Sequence, residues 1–335
     1  MQDTHPETED FDIVIVAQAG RLTYEAVLFA ASLRAAAPAF RGELIVGEPL
    51  PGPLWSRDPR IQDAAARDLL ETRLGARIVP FEARHFGDAY PNGNKVELLA
   101  ALPPDRPFVF FDTDTLIKGP IDRVPFDFDR PAASMARENT WPKPPLYGPG
   151  FEAIWRAVYD RAGVALDPSM DPTQPDEYWE KYLYFNAGWF FARSAPEFAA
   201  RMIGLMTSLR DDTPAELACQ SLYPWLDQIA LPPVITSFGG GRPGPELDGL
   251  DGAVTLHWRA LPLLYATADE ATLRDFQDIV APNWIKKVLK SYDPFRRMVY
   301  HERGAKVRAL FDRAHLPRRE QMIRNRIKRE NLWMR

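Results

Sequence analysis

Phe108-Val109-Phe110-Phe111-Asp112-Thr113-Asp114 is the stretch on which the reading of this chain turns. Four apolar residues, bounded by Pro107 on one side and by charge on the other, predict a strand covered on both faces. The carboxylates of Asp112 and Asp114 then emerge at the end of that strand, where open α/β sheets bind their ligands. Paired acidic oxygens in that place suit a hard divalent cation, Mn²⁺ or Mg²⁺, beside a phosphorylated substrate. Asp-x-Asp occurs twice more, as Asp10-Phe11-Asp12 and Asp127-Phe128-Asp129, without an apolar strand leading into it. Those two read as acidic turns.

Outward from this stretch, strands and helices alternate. Residues 11–17 are β-branched and apolar and break at Gln18-Ala19-Gly20, which predicts an opening strand. Residues 24–37 predict a helix, with Val27, Leu28, Ala31 and Leu33 at roughly helical spacing and Pro38 ending it. A strand over 42–47, a helix over 63–74, a strand over 76–81 and a helix over 94–101 complete the approach. Such alternation predicts an α/β sheet with nucleotide-binding geometry.

Past Asp114 the pattern loosens. Residues 141–150 and 167–176 are proline-laced, and their content of Trp, Tyr and Pro predicts ordered walls of a substrate cleft. Residues 184–191 predict a strand interrupted by Asn186 and Gly188, the glycine marking a bulge or a close backbone approach. Gly239-Gly240-Gly241 falls in a loop, so it is not a phosphate cradle. Residues 254–258 predict a last short strand, with helices only from Glu270 onward.

The chain has 335 residues, 46% of them hydrophobic, which is ample for a folded core. Its one cysteine, Cys219, excludes an intrachain disulfide and reads as a buried structural thiol in a reducing compartment. The polar, acidic start lacks the pattern of a signal peptide, and no apolar run is long enough to span a bilayer. The expectation is a cytoplasmic protein.

The net charge of -5 conceals a division: residues 286–335 carry 16 Lys or Arg against 5 Asp or Glu. Trp284, Ile285, Met322, Ile323, Ile327 and Trp333 are interleaved with that charge. An amphipathic basic segment with aromatics suits an anionic membrane surface, which predicts peripheral attachment to the inner face of the membrane. The alternative is that the apolar stripe packs on the rest of the chain. No nucleic-acid-binding module accompanies the charge, so nucleic acid is not an expected partner.

Five marks occur in a fixed order. They are Asn94-Lys95-Val96-Glu97, the run from Phe110 through Asp112-Thr113-Asp114 to Ile121, Phe185-Asn186-Ala187-Gly188, Trp225-Leu226-Asp227-Gln228 and Leu256-His257-Trp258. Together they resemble the glycosyltransferases of the GT-A fold, in particular the retaining, glycogenin-like and lipooligosaccharide galactosyltransferase-like group, over residues 11–263. The resemblance implies a Rossmann-like mixed sheet flanked by helices as catalytic domain over residues 1–268, followed by a helical, basic extension over 269–335. It implies a metal-dependent hexosyltransferase that moves a sugar from a nucleotide-diphosphate sugar, UDP-linked, to a saccharide, surface-glycan or lipid-linked acceptor, with retained configuration. Asp112, Asp114 and His257 are the implied ligands of Mn²⁺ or Mg²⁺. Ala17, Gln18, Lys95, Thr113, Gly188 and Arg259, with the two acids, are the implied donor contacts, and Asp227, Gln228 and Asn186 the implied catalytic groups.

The chain departs from the group at two points. After His257 the group continues with a glycine and a phosphate-binding lysine, whereas here Trp258-Arg259-Ala260-Leu261-Pro262 follows, and Arg259 is the expected substitute charge. The Asn that commonly follows Asp-Gln is replaced by the apolar run from Ile229 to Pro232. Two other readings compete. A sugar-nucleotide nucleotidyltransferase needs a glycine-rich loop after the first strand, for which Gln18-Ala19-Gly20-Arg21 is a poor substitute. A non-catalytic GT-A-like binding protein has no need of Asp112, Asp114 and His257 together.

Overall fold

The sheet is built from β1 (Asp12–Val16), β2 (Leu44–Pro49), β3 (Ala76–Phe81), β4 (Phe108–Phe111), β6 (Ala133–Ser134) and β7 (Asn186–Ala192), while β5 (Thr115–Ile117) and β8 (Thr255–His257) form a separate two-stranded ribbon. The structure is a computed structural model that describes residues 9–136 and 140–335; the acidic start, residues 1–8, lies outside the described residues. Strand order is β3-β2-β1-β4-β7-β6. The first four strands of that order run parallel, β7 pairs antiparallel with β4, and β6 pairs antiparallel with β7. A mixed α/β sheet flanked by helices is therefore observed, as the alternation predicted.

Chain order reverses direction between β1 and β4. From β1 the chain moves outward to β2 and β3, then returns to the other side of β1 as β4. The C-terminal ends of β1 and β4 therefore flank a crevice, the place where doubly wound sheets hold ligands. Gly20 makes the turn from β1 into α1 (Arg21–Ala36) at φ 79°, a conformation that costs a side-chain-bearing residue about 1 kcal/mol or more.

Two layers of helices cover the sheet. Val109 and Phe111 of β4 join the cluster that includes Val27 and Phe29 of α1, and Phe108 and Phe110 join the opposite cluster. The first expectation, a strand buried on both faces, holds at every residue of β4. Phe110 stacks on Phe190 of β7 at 4.9 Å between ring centres. The opposite layer consists of α3 (Asn94–Leu99), α4 (Phe151–Ala162), α5 (Ala195–Asp211) and α6 (Leu226–Ser237). The helix read over 63–74 is α2 (Ala64–Asp68) continued by a wider turn at Leu69–Arg73, and Asp63 caps it by accepting from Ala65 and Ala66.

Helices α4 to α6 had no counterpart in the sequence reading. For α5 the signal was present: Pro196 and Glu197 open it, and Phe198, Met202, Leu205, Met206 and Leu209 are buried along one side. Pro232 and Pro233 sit inside α6 and disguise it. The hydroxyls of Thr236 and Ser237 donate to the carbonyls of Pro232 and Val234, at 2.9 and 2.6 Å.

Beyond β8 the chain forms α7 (Leu261–Thr267), α8 (Glu270–Val280), α9 (Asn283–Leu289), α10 (Asp293–Tyr300), α11 (Arg303–Ala309) and α12 (Glu320–Arg329). Their apolar residues, Phe276, Ile285, Leu289, Phe295, Val307, Ile323 and Ile327, lie in the same cluster as α1 and β4. The apolar stripe of the basic segment is therefore spent on the core, while Lys287, Arg318, Arg319, Arg326, Lys328 and Arg329 remain exposed. No helix among the described residues is long and apolar enough to cross a membrane.

Cys219 is exposed rather than buried, because the short turn Ala215–Leu217 directs Leu217 inward at this point instead. Of the other two acidic triplets, one is not a solvated turn: Asp12 is 3% exposed within β1, where it accepts from the Glu43 amide and pairs with Arg106. Asp129 of the second is bound by Arg193 at the surface.

Ile327 is fully buried on α12. An Ile327→Ala variant should lose about 2–4 kcal/mol in chemical denaturation, the cost of a core cavity. A change within experimental error would show that α12 is an appendage rather than part of the core.

Candidate metal and donor site

β4 ends at Phe111, and Asp112 continues its ladder by donating its amide to the Gly188 carbonyl at 2.8 Å. Asp114 is carried one step on, at the root of the ribbon. In that ribbon Thr115 pairs with His257 and Ile117 with Thr255, so the imidazole is delivered beside the residue that precedes β5. His257 Nε2 lies 3.1 Å from Asp114 Oδ1 and 3.9 Å from Asp112 Oδ2. One donor atom from each of the three residues falls within 4.8 Å of the others, and no other group of three or more potential ligands occurs among the described residues. Two hard carboxylate oxygens and one imidazole fit Mn²⁺ or Mg²⁺, with manganese the better match for nitrogen.

Gly188 makes room for this arrangement. A Cβ built at that position would lie 2.4 Å from His257 Nδ1. The close approach anticipated for this glycine is therefore to the His257 ring. Asn186, two residues earlier, accepts from the Gly188 amide at 3.0 Å and donates to the Ala136 carbonyl at 2.8 Å.

Lys95 ties the acids to a second carboxylate. Its Nζ lies 3.0 Å from Asp112 Oδ1 and 3.3 Å from Asp227 Oδ2, and donates to the Ala187 carbonyl at 3.1 Å. Burial works against its charge, but Asp112 and Asp227 outweigh this and raise its pKa. Asp227 is 2% exposed at the start of α6, and Tyr90 donates to its Oδ1 at 2.6 Å while accepting its amide at 3.0 Å. Gln228 accepts from the Tyr184 hydroxyl at 2.6 Å.

Arg21 and Glu25 of α1 form the far side. Arg21 donates to both oxygens of Glu25 at 2.7 Å and lies 3.8 Å from Asp114 Oδ2, while Thr113 donates to Glu25 at 3.2 Å. Burial is the largest influence on Glu25 and, helped by the charge of Asp114, pushes its carboxyl up to about 8. Asp114 is also penalised by burial, but His257 foremost, then Arg21 and Arg335, hold it well below the usual carboxylate range. Burial alone would lower His257; the charge and hydrogen bond of Asp114 more than reverse this, and its pKa rises.

A cleft of about 350 Å³ opens over Asp112, Thr113 and Asp114, lined also by Gln18, Arg21, Lys95 and Arg335, while His257, Asp227, Gln228 and Asn186 are not among its walls. A larger hollow, about 710 Å³, is lined by Asp127, Arg130, Arg242 and the three-glycine loop, and contains none of the grouped ligands. Ala17 is fully buried, its amide bonded to Gly47 in the sheet, so its neighbour Gln18 is the one that reaches the cleft. Arg259, at φ 59°, pairs its guanidinium with Glu320 of α12 at 2.6 Å, and its charge also acts on His257. Beside the site, residues 141–150 are tied to residues 220–221: Gln220 accepts from the Lys143 amide at 2.8 Å and Ser221 from the Trp141 indole at 3.1 Å.

Tyr90, Arg21, Glu25 and Arg335 were not singled out from sequence. For Arg21 a signal existed, since a basic residue opening a helix opposes the helix dipole and needs another reason to be there. Tyr90 and Arg335 act across more than a hundred residues of chain and left no local mark.

The sequence model of the Rhodobacterales glycosyltransferase domain matches residues 13–239. Among solved structures, the galactosyltransferase LgtC in complex with donor and acceptor sugar analogues is 16% identical, over 93% of this chain and 100% of that one, at a TM-score of 0.42. An active-site mutant of LgtC is 15% identical over 67% of this chain and 70% of that one, at a TM-score of 0.39. The bifunctional glycosyltransferase WbbM, in apo form, is 14% identical over 87% of this chain and 53% of that one, at a TM-score of 0.46. Superpositions this loose assign no residue a role. No curated protein matches the chain by sequence.

The clearance at Gly188 is directly testable. Gly188→Ala should displace the imidazole and weaken Mn²⁺ binding about tenfold or more, as read by calorimetry or electron paramagnetic resonance, with the fold retained. Unchanged affinity would mean that the His257 ring is not held against this strand.

Proposed function

The chain belongs to the Rhodobacterales glycosyltransferase family, and from that premise we propose that it transfers a sugar from a UDP-sugar to a saccharide or surface-glycan acceptor, with retention of configuration and dependence on Mn²⁺ or Mg²⁺. The observation that carries this reading is the convergence of Asp112, Asp114 and His257 at the end of β4, in the crevice between β1 and β4. When bound there, the cation neutralises the donor diphosphate as a Lewis acid.

The chain's own residues divide the remaining work. Gln18, at the end of β1, borders the nucleotide. Lys95 bridges Asp112 and Asp227 at fixed spacing and sets a positive charge against both. Transfer breaks the bond from the anomeric carbon to the diphosphate oxygen, whose electrons stay with the leaving group, and forms a bond from that carbon to an acceptor oxygen. The acceptor proton passes to the departing diphosphate. A cationic anomeric centre develops in between, and the negative field of Asp227, with the amides of Gln228 and Asn186, stabilises it.

Both oxygens of Asp227 are engaged, by Tyr90 and by Lys95. This occupancy supports charge stabilisation rather than nucleophilic attack, and hence departure and attack on one face of the sugar. The walls of residues 141–150, with Leu146 and Tyr147 almost fully exposed, are the side on which we place the acceptor. We assign residues 1–268 to catalysis and residues 269–335 to the basic extension. The exposed Lys and Arg of that extension support attachment to an anionic membrane surface by charge alone, which in turn favours a lipid-linked acceptor at the inner face.

Turnover of UDP-galactose and UDP-glucose in the presence of Mn²⁺ checks this reading. Asp114→Ala and metal chelation should each lower donor consumption about a hundredfold or more, and NMR should show the product anomer matching the donor. Activity that survives chelation, or an inverted product, would refute the metal or the stereochemical part respectively.

A further inference from the structure

The last five residues of the described chain reach the donor cleft. Asn331, left-handed at φ 54°, reverses the chain after α12, and Leu332 closes the turn by donating to the Ile327 carbonyl at 3.1 Å. Leu332, Trp333 and Met334 pack against the core, and the Trp333 ring lies under Arg324 and Lys328, 5.0 and 5.5 Å from its centre. Arg303 donates to the Asn331 carbonyl at 3.2 Å. A strap anchored at so many points delivers Arg335 to the cleft that holds Gln18, Arg21, Asp112 and Asp114.

We propose that Arg335 is a donor-binding residue whose guanidinium, together with that of Arg21, grips the diphosphate of the nucleotide sugar. The inference rests on the reading of this cleft as the diphosphate site. Three observations carry it. Arg335 and Arg21 line the same cleft as Asp112 and Asp114, so two guanidinium groups face the space beside the acids where a metal-bound diphosphate would lie. A planar guanidinium fork matches adjacent phosphate oxygens better than a point charge does. Arg259 pairs with Glu320, and that ion pair anchors the start of α12, from which the strap that carries Arg335 extends. The basic C-terminal segment thus contributes to the site itself as well as to the surface.

Calorimetric titration of UDP and of UMP in the presence of Mn²⁺, on the full chain and its variants, tests the assignment. Arg335→Ala should weaken UDP about tenfold and UMP much less, so the ratio of the two affinities falls. Arg335→Lys should recover part of the loss. Trp333→Ala, which keeps the guanidinium but loosens the strap, should reproduce the Arg335→Ala ratio at an unchanged melting temperature for Arg335→Ala itself. Wild-type affinities for both nucleotides in Arg335→Ala would overturn the role of Arg335 while leaving the donor site standing. If the wild-type protein binds none of UDP, GDP and ADP with Mn²⁺, the donor-site reading fails and this inference with it.

Discussion

Three carboxylates, Asp112, Asp114 and Asp227, are brought to one end of a buried sheet, and the pairing of each with a basic side chain governs what surrounds them. An isolated carboxylate out of water would take up a proton instead of staying ionised. Lys95 answers for Asp112 and Asp227, and His257 with Arg21 answers for Asp114. The resulting balance keeps hard oxygen ligands available in a place where water competes poorly. Removing Lys95 would leave the buried Asp227 without its cation, which costs more than the ion pair contributes.

The fold supplies the geometry for that balance by simple means. Parallel pairing of β1 with β4 places the ends of both strands at one crevice. The register of the β5–β8 ribbon sets His257 opposite Thr115, next to Asp114, so a contact between residues 143 apart in sequence reduces to one strand pairing. Gly188 yields the space for the ring. Because α7 to α12 pack on the cluster that also holds α1 and β4, the basic helices are joined to the site through the core, and the half-buried Arg259–Glu320 pair joins them again.

How much of this could be read from residues alone depended on the range of the interaction. The strand into Asp112 was legible because burial on both faces leaves an unbroken apolar run, and Gly188 because a glycine inside a strand needs a reason. The family marks placed Lys95, Asp227 and His257 in order, though their distances follow from the packing of α3 and α6 and from the pairing of β5 with β8. Arg259 shows the limit: its nearness to His257 was legible, while its ion pair with Glu320 of α12, 61 residues further along the chain, was not. Cys219 and helices α4 to α6 failed for different reasons, a neighbouring leucine taking the inward position in one case and internal prolines masking α6 in another. The amphipathic stripe of the basic segment was visible, but sequence alone could not say whether lipid or the protein's own core would cover it.

The central claim is that Asp112, Asp114 and His257 form one metal-ligating site at the donor cleft. Anomalous diffraction from crystals grown with Mn²⁺ and UDP addresses it most directly. A single manganese peak should lie at about 2.0–2.3 Å from one oxygen of each aspartate and one nitrogen of His257, with the diphosphate beside it. A peak at another set of residues, or UDP bound with no manganese between these three, would contradict the account.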